Sequence, residues 1–144
     1  MNKNIEIEKG TLEFILEIGK SAYPKEMVGL LTTKDKVISD VILVPGTFTS
    51  EVNAIMRLDM LPVGMNVIGS VHSHPSGNTR PSEADKQMFS KNGKIHIITG
   101  SPFKWGDWSF YDKQAKEISL KVVEGDEDDT WSEEIKWLKE NIEE

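Results

Sequence analysis

One apolar segment in the middle of the chain limits the possible folds more than any other feature. Residues 65–73 read MNVIGSVHS, a run rich in β-branched side chains, which is typical of a strand buried inside a sheet. Pro75 ends this strand, because proline has no N–H to donate to a neighbouring strand. A polar loop then leads to PSEADKQMF, which has the signals of a helix start, with Ser82 as the N-cap and acidic residues in the first turn. A buried strand followed so closely by a helix predicts an α/β architecture.

Patterns on both sides of this segment extend the prediction. Residues 8–22 carry apolar side chains at helical spacing, and Pro24 ends that pattern. Further strands are predicted in MVGLLTT, in KVISDVILVPG, in KIHIITG, and in the pair WGDWSFYD and EISLKVVE. Helical spacing covers residues 83–90 and 130–142, and more weakly 53–62. The chain, residues 1–144, is therefore predicted to form a single α/β domain with a mixed central sheet flanked by helices.

The overall composition excludes several classes of protein. The 144 residues are enough to bury a core without covalent staples. There is no cysteine, so disulfides, a cysteine nucleophile and thiolate metal ligands are excluded. The net charge of −7, from 24 acidic and 17 basic residues, disfavours binding to nucleic acid. No apolar run reaches the ~18 residues of a membrane helix, and MNKNIEIEKG lacks the apolar core of a signal peptide, so we expect a cytoplasmic protein.

Two of the three histidines stand one residue apart at the end of the buried strand. Side chains at positions i and i+2 of a strand point to the same face, so His72 and His74 project together. Two imidazoles on one face can bind a single ion such as zinc. If the following loop returns over the strand end, Asp85 adds a third ligand and leaves the fourth tetrahedral position open. Three protein ligands and an open position are typical of a catalytic zinc site.

Each of these residues also has a purely structural interpretation. Ser82-x-x-Asp85 has the spacing of a capping box, which stabilises a helix start without any metal. A His-x-His pair alone is a weak indication of a metal site. The third histidine, His96, lies inside a predicted strand, where a packed or edge-strand position is more typical than a metal ligand. Only the joint pattern favours a metal site.

Taken together, His72-x-His74-Pro75, six further residues and Ser82-x-x-Asp85 match the complete signature of the JAMM (also called MPN+) zinc metalloproteases. Over most of its length, the chain resembles a small, free-standing prokaryotic member of that family. The resemblance implies a JAMM/MPN fold, layered like that of cytidine deaminases. It also implies that His72, His74 and Asp85 bind one zinc ion, with water as the fourth ligand. Ser82 would donate a hydrogen bond to the oxyanion of the tetrahedral intermediate.

The same family uses an upstream glutamate as general base and acid, at the start of a buried strand and before a glycine and an aliphatic pair. The segment KEMVGLL fits that description and indicates Glu26. The chemistry requires such a group independently, because the attacking water must lose a proton and the departing amine must gain one. A surface position at a strand start is the structural alternative for Glu26. Glu13, Glu17 and Glu51 are rival candidates without a comparable context.

Members of this family cleave amide or isopeptide bonds, and the best known remove ubiquitin or ubiquitin-like modifiers from lysine side chains. The resemblance therefore implies a ubiquitin-like modifier as partner, whose flexible C-terminal tail enters the site as an added strand. Trp105 and Trp108 offer aromatic surface for such a partner, although core positions are more typical of tryptophan. Two alternatives stay open: tail trimming of a sulfur-carrier protein by the same chemistry, and a non-catalytic binding scaffold. A zinc deaminase is excluded, because its signature requires a cysteine pair.

Overall fold

A computed structural model describes residues 5–43 and 66–125, and these residues contribute eight strands and two helices. Their order is β1 (Glu6–Glu8), α1 (Lys9–Ala22), β2 (Val28–Lys34), β3 (Val37–Leu43), β4 (Val67–His74), α2 (Glu83–Lys91), β5 (Ile95–Gly100), β6 (Trp108–Asp112), β7 (Glu117–Ile118) and β8 (Lys121–Val123). All eight strands belong to one mixed sheet, in the order β7-β6-β5-β4-β2-β3-β1-β8.

The strand that carries both histidines, β4, lies in the interior of this sheet. It pairs antiparallel with β2 on one side and parallel with β5 on the other. A hairpin joins β2 to β3, and its turn residues Asp35 and Lys36 both have positive φ, as tight two-residue hairpin turns require. On the far side of β4, the neighbouring strand β5 pairs antiparallel with β6. Hydrogen bonds on both sides therefore hold the end of β4 in a fixed position.

Alternation of side chains along the strands divides the core between the two faces of the sheet. One face packs against α1 through a cluster that includes Leu12, Ile15 and Val71. The other face packs against Met88 and Phe89 of α2. The sheet thus lies between the two described helices, which confirms the predicted fold class.

In the part of the chain that the structure describes, no helix has the length and apolar character needed to cross a membrane.

The strands at the edges of the sheet differ from the sequence prediction. The pattern does not reveal β1, which is only three residues long and pairs parallel with β3 and β8. The segment EISLKVVE is predicted as one strand but forms two, β7 at one edge of the sheet and β8 at the other. The interruption falls at residues 119–120, where Leu120 is buried in the core beside α1. A single straight strand cannot bury this side chain and also reach both edges.

The aromatic side chains of Trp105 and Phe14 are both about half exposed. The sequence favours a core position for Trp105, but its side chain is about half exposed, because it lies in the connection between β5 and β6. Phe14 is half exposed as well, because the buried stripe of α1 runs through Thr11, Leu12, Ile15, Leu16 and Gly19. The predicted helices over residues 53–62 and 130–142, together with Glu51, lie outside the described residues.

Candidate metal centre

A pocket of about 380 Å³ opens at the C-terminal end of β4. All five residues that the sequence singles out line it: Glu26, His72, His74, Ser82 and Asp85. The rest of its wall is formed by Val28, Pro75, Ser76, Ala84 and Met88. The polar loop after β4 folds back so that the start of α2 stands beside the strand end, which meets the condition under which Asp85 could join the two histidines.

The hydrogen bonds of His74 determine which ring nitrogen faces the pocket. Its Nδ1 lies 2.7 Å from the backbone carbonyl oxygen of Asn78. A carbonyl can only accept, so Nδ1 carries the proton and donates it. The other nitrogen, Nε2, lies 3.2 Å from Oδ2 of Asp85. In the neutral ring this Nε2 has a lone pair, and the lone pair faces a carboxylate oxygen.

The contact between His74 Nε2 and Asp85 Oδ2 is favourable only if a positive charge is present, either on a protonated His74 ring or on an ion between the two atoms. The pKa of His74 is raised, first by its hydrogen bond to Asp85 and against the effect of partial burial. Burial alone would raise the pKa of Asp85, but hydrogen bonds from His74 and from the backbone of Ser82 outweigh it and lower that pKa to about 2. The pair therefore attracts a cation, which is either a proton on His74 or a metal ion.

His72 lies deeper in the same site and is held in its neutral form. Its ring is almost fully buried on the α2 face of the sheet. Burial lowers its pKa to about 4, against an opposing effect of Asp85 and with a smaller lowering by His74. Neutral imidazole is the form that binds metal ions, so His72 is ready to act as a ligand at neutral pH.

The capping box at the start of α2 is also present. Ser82 Oγ accepts a hydrogen bond from the Asp85 N–H at 3.1 Å, and Asp85 Oδ2 accepts one from the Ser82 N–H at 2.9 Å. The two interpretations of this tetrad are therefore compatible, because the box orients the Asp85 carboxylate towards His74. The bond to Ser82 Oγ uses a lone pair, so the hydroxyl proton is still available to a substrate.

In residues 5–43 and 66–125, no group of three or more His, Asp or Glu side chains stands in a metal-holding arrangement. His74 Nε2 contacts Asp85 Oδ2 at 3.2 Å, and Nε2 of His72 lies 3.1 Å from Ser70 Oγ. The donor types nevertheless fit a catalytic zinc ion, which prefers imidazole nitrogen and carboxylate oxygen. A metal ion would replace the His74–Asp85 hydrogen bond with two metal–ligand bonds.

Glu26 reaches the pocket because of the register between β2 and β4. Val28 lies opposite His72 in this antiparallel pair. If this register is continued by two residues, Glu26 lies opposite His74. Its side chain then points to the same face of the sheet as those of His72 and His74. The side chain is exposed and lines the pocket, and its charge makes a minor contribution to the raised pKa of His74, after the larger effect of Asp85.

The rival glutamates that the structure describes lie exposed on α1, away from the pocket lining: Glu13 and Glu17.

Sequence reasoning did not single out Ser70, which connects two of the histidines. Its Oγ lies 3.1 Å from Nε2 of His72 and 2.7 Å from Nδ1 of His96. The alternation of β4 could have identified it, since Ser70, His72 and His74 occupy successive positions on one face.

The predicted packed position of His96 is confirmed, because its ring is fully buried and stacks on Phe89 at 4.2 Å. The edge-strand alternative is wrong, because β5 lies between β4 and β6.

A family model, a protein relative and solved structures with which this chain was compared all indicate the same family. Residues 8–112 match Prok-JAB, the prokaryotic homologs of the JAB domain. A protein of Haloferax volcanii, described as a probable metalloprotease, is 35% identical over 130 residues, which are 83% of this chain and 80% of the relative. The crystal structure of a JAB1/MPN domain protein from Archaeoglobus fulgidus has a TM-score of 0.71 and 39% identity, covering 83% of this chain and 100% of that one. A structure described as JAMM, a metalloprotease-like zinc site in the proteasome and signalosome, has a TM-score of 0.67 and 37% identity over 83% of this chain and 98% of that one.

Proposed function

This chain belongs to the JAMM/MPN family, among the prokaryotic homologs of the JAB domain, and from that membership we propose that it is a zinc-dependent peptidase. It hydrolyses the amide or isopeptide bond at the C-terminus of a ubiquitin-like modifier protein in the cytoplasm. The observation that carries the proposal is the convergence of His74 Nε2 and Asp85 Oδ2, which lie 3.2 Å apart in a pocket that Glu26, His72 and Ser82 also line.

His72, His74 and Asp85 would hold the zinc ion. When bound, the ion lowers the pKa of a water molecule towards about 7 and polarises the scissile carbonyl. The hydrogen bond from His74 Nδ1 to the Asn78 carbonyl fixes the tautomer that leaves Nε2 for the ion. The low pKa of His72, a consequence of burial, keeps that ring unprotonated at neutral pH.

Glu26 would move the proton that the reaction must transfer. Its carboxylate accepts a proton from the attacking water as the oxygen–carbon bond forms. It returns this proton to the nitrogen of the leaving amine as the carbon–nitrogen bond breaks. The support for this role is the register between β2 and β4, which sets Glu26 opposite His74 at the pocket wall.

Ser82, which also lines the pocket, would stabilise the transition state. Because its Oγ accepts the Asp85 N–H through a lone pair, the hydroxyl proton can be donated to the oxygen of the scissile carbonyl. Negative charge develops on that oxygen during attack, and a hydrogen bond there is stronger in the transition state than in the ground state.

The size of the pocket favours an extended tail as the substrate. A volume of about 380 Å³ lies in the range of sites for small ligands and short peptide segments, and it does not admit a folded domain. A protein substrate could therefore enter only with a flexible segment that protrudes from its own fold. The C-terminal tail of a ubiquitin-like modifier has this property, and so does that of a sulfur-carrier protein with a ubiquitin fold.

Metal dependence and the role of Glu26 are tested together. A strong chelator should abolish cleavage, and added zinc should restore it. Glu26→Gln should retain zinc and fold but lose about 10²-fold or more in kcat, because glutamine cannot accept the proton. Glu13→Gln, an exposed position on α1 away from the pocket lining, is the control and should retain its activity. Normal turnover of Glu26→Gln, or activity that survives confirmed removal of the metal, would refute the mechanism.

The substrate class is tested by mass spectrometry of products. Ubiquitin-fold proteins linked through their C-terminal carboxyl group to a lysine side chain should be released with an intact tail. Ubiquitin-fold sulfur carriers with a C-terminal extension are incubated in parallel. Cleavage only of the extension would establish the tail-trimming alternative instead. Zinc-loaded protein that cleaves neither substrate, but binds one of them, would support the scaffold alternative.

A further inference from the structure

A buried hydroxyl beside the site does not line the pocket and does not belong to a residue to which the proposed function assigns a role. Ser73 lies between the two histidines on β4, faces the opposite side of the sheet and is fully buried. Its Oγ accepts a hydrogen bond from the N–H of Met27 at 2.6 Å, and its own N–H donates to the Met27 carbonyl at 2.9 Å. Both hydrogen bonds thus join the middle of the His-x-His pair to the residue that follows Glu26.

These two bonds modify the last step of the β2–β4 ladder. In a regular antiparallel pair, two residues at a hydrogen-bonded position exchange two backbone N–H···O=C bonds. The pairing of Val28 with His72 sets Met27 opposite Ser73, and one of the two bonds has the regular backbone form. The other bond goes to the side chain of Ser73. Together with the backbone bond, a side-chain oxygen therefore holds the start of β2 against the end of β4.

This geometry matters for catalysis because Glu26 is exposed. Packing does not confine a long, exposed side chain, so the backbone position determines where its carboxylate can reach. Without Oγ, the Met27 N–H either loses its acceptor or turns to the backbone carbonyl of residue 73. Both changes move Glu26 relative to His74. A displacement of about 1 Å can reduce a rate by about 10²-fold.

We propose that Ser73 is the positioning residue for Glu26: through Met27, it holds the general base opposite His74. The proposal rests on the proposed function, in which Glu26 transfers the proton. It assigns to the central residue of His72-x-His74 a role that differs from metal binding, since Ser73 faces away from the pocket and does not line it.

The first experiment separates positioning from metal binding and from stability. Ser73→Ala should lower kcat by about 10- to 10²-fold while zinc affinity stays at the wild-type value. Ser73→Thr retains Oγ and should retain most of the rate. Thr11→Val is the stability control, because it removes a buried hydroxyl that donates to the Ser39 carbonyl at 2.8 Å, between α1 and β3. It should lower the melting temperature and leave kcat unchanged.

A double-mutant cycle then tests whether Ser73 acts through Glu26. In a Glu26→Gln background, Ser73→Ala should cause no further loss of kcat, since the group that it positions is already absent. Wild-type kcat in Ser73→Ala, or an equal loss in both backgrounds, would overturn the proposal. If Ser73→Ala does not fold, the cycle is run with Ser73→Cys, whose sulfur is a weak acceptor. Normal turnover of Glu26→Gln alone would instead refute the proposed function, and the inference with it.

Discussion

At the scale of single residues, the Asp85 carboxylate makes two contacts with different consequences. Its Oδ2 accepts the Ser82 N–H at 2.9 Å, which completes the cap of α2, and it lies 3.2 Å from His74 Nε2. The spacing Ser-x-x-Asp predicts the first contact by itself. The second depends on β4 and α2 meeting in space, so it could be inferred only from the joint motif. The Asn78 carbonyl that fixes the His74 tautomer could not be predicted, since backbone groups carry no sequence signal.

Ser82→Ala tests whether the cap residue also takes part in catalysis. Loss of the cap should cost about 1 kcal/mol of stability. Loss of the oxyanion hydrogen bond should reduce kcat by about 10²- to 10³-fold in protein that is still fully folded. Ser90→Ala, which removes a hydroxyl near the other end of α2, serves as the control for thermal melts and turnover. A lower melting temperature with near-normal kcat would leave only the capping role.

At the scale of elements, the site depends on close contact between β4 and β5. A Cβ atom on Gly69 would lie 1.6 Å from the Ile95 carbonyl oxygen, so only glycine permits this parallel pairing. The positions of β4 and α2 could be predicted from sequence, because a β-branched run and a helix cap are strong local signals. The short strands β1, β7 and β8 could not, since two or three residues carry almost no periodicity and their pairing is set by neighbouring strands.

Gly69→Ala should therefore disturb the site from a distance. The added methyl group must push β4 and β5 apart, and we expect a loss of about 3 kcal/mol in the free energy of unfolding, together with weaker zinc binding. Gly10→Ala, in α1 with no atom within 4 Å of the new Cβ, should stabilise the protein by up to about 1 kcal/mol. Urea unfolding and zinc titration measure both effects. If Gly69→Ala has wild-type stability, residue 69 of β4 does not lie in close contact with the Ile95 carbonyl of β5.

At the scale of the whole molecule, two histidines buried on the α2 face of the sheet make stability depend on pH. Burial lowers the pKa of both His72 and His96 from 6.5 to about 4. The unfolded chain therefore binds protons at a higher pH than the folded protein. The stability that these two groups contribute is fully present above pH 6.5 and is lost as the pH falls towards 4. The raised pKa of His74 has the opposite sign, because its contribution is lost as the pH rises.

This dependence can be measured with His96→Gln in metal-free protein. Between pH 6.5 and about 4, the wild-type free energy of unfolding should fall as the pH is lowered. In the variant, the slope should be smaller by up to about 1.4 kcal/mol per pH unit, the contribution of one proton. The slopes of the two proteins should agree above pH 7, whatever the absolute cost of the substitution. Equal slopes across the acid range would mean that His96 is not buried in its neutral form.

A zinc titration of metal-free protein tests whether His72, His74 and Asp85 bind a zinc ion. Wild type should take up one zinc ion per chain. Asp85→Asn should lose this binding, because the amide is a far weaker metal ligand than the carboxylate. Asp107→Asn, in the connection between β5 and β6 where Asp107 Oδ2 accepts the Lys104 N–H, should bind zinc as wild type does. Wild-type protein that takes up no zinc, or Asp85→Asn protein that binds it with wild-type affinity, would show that these three residues do not form a zinc site.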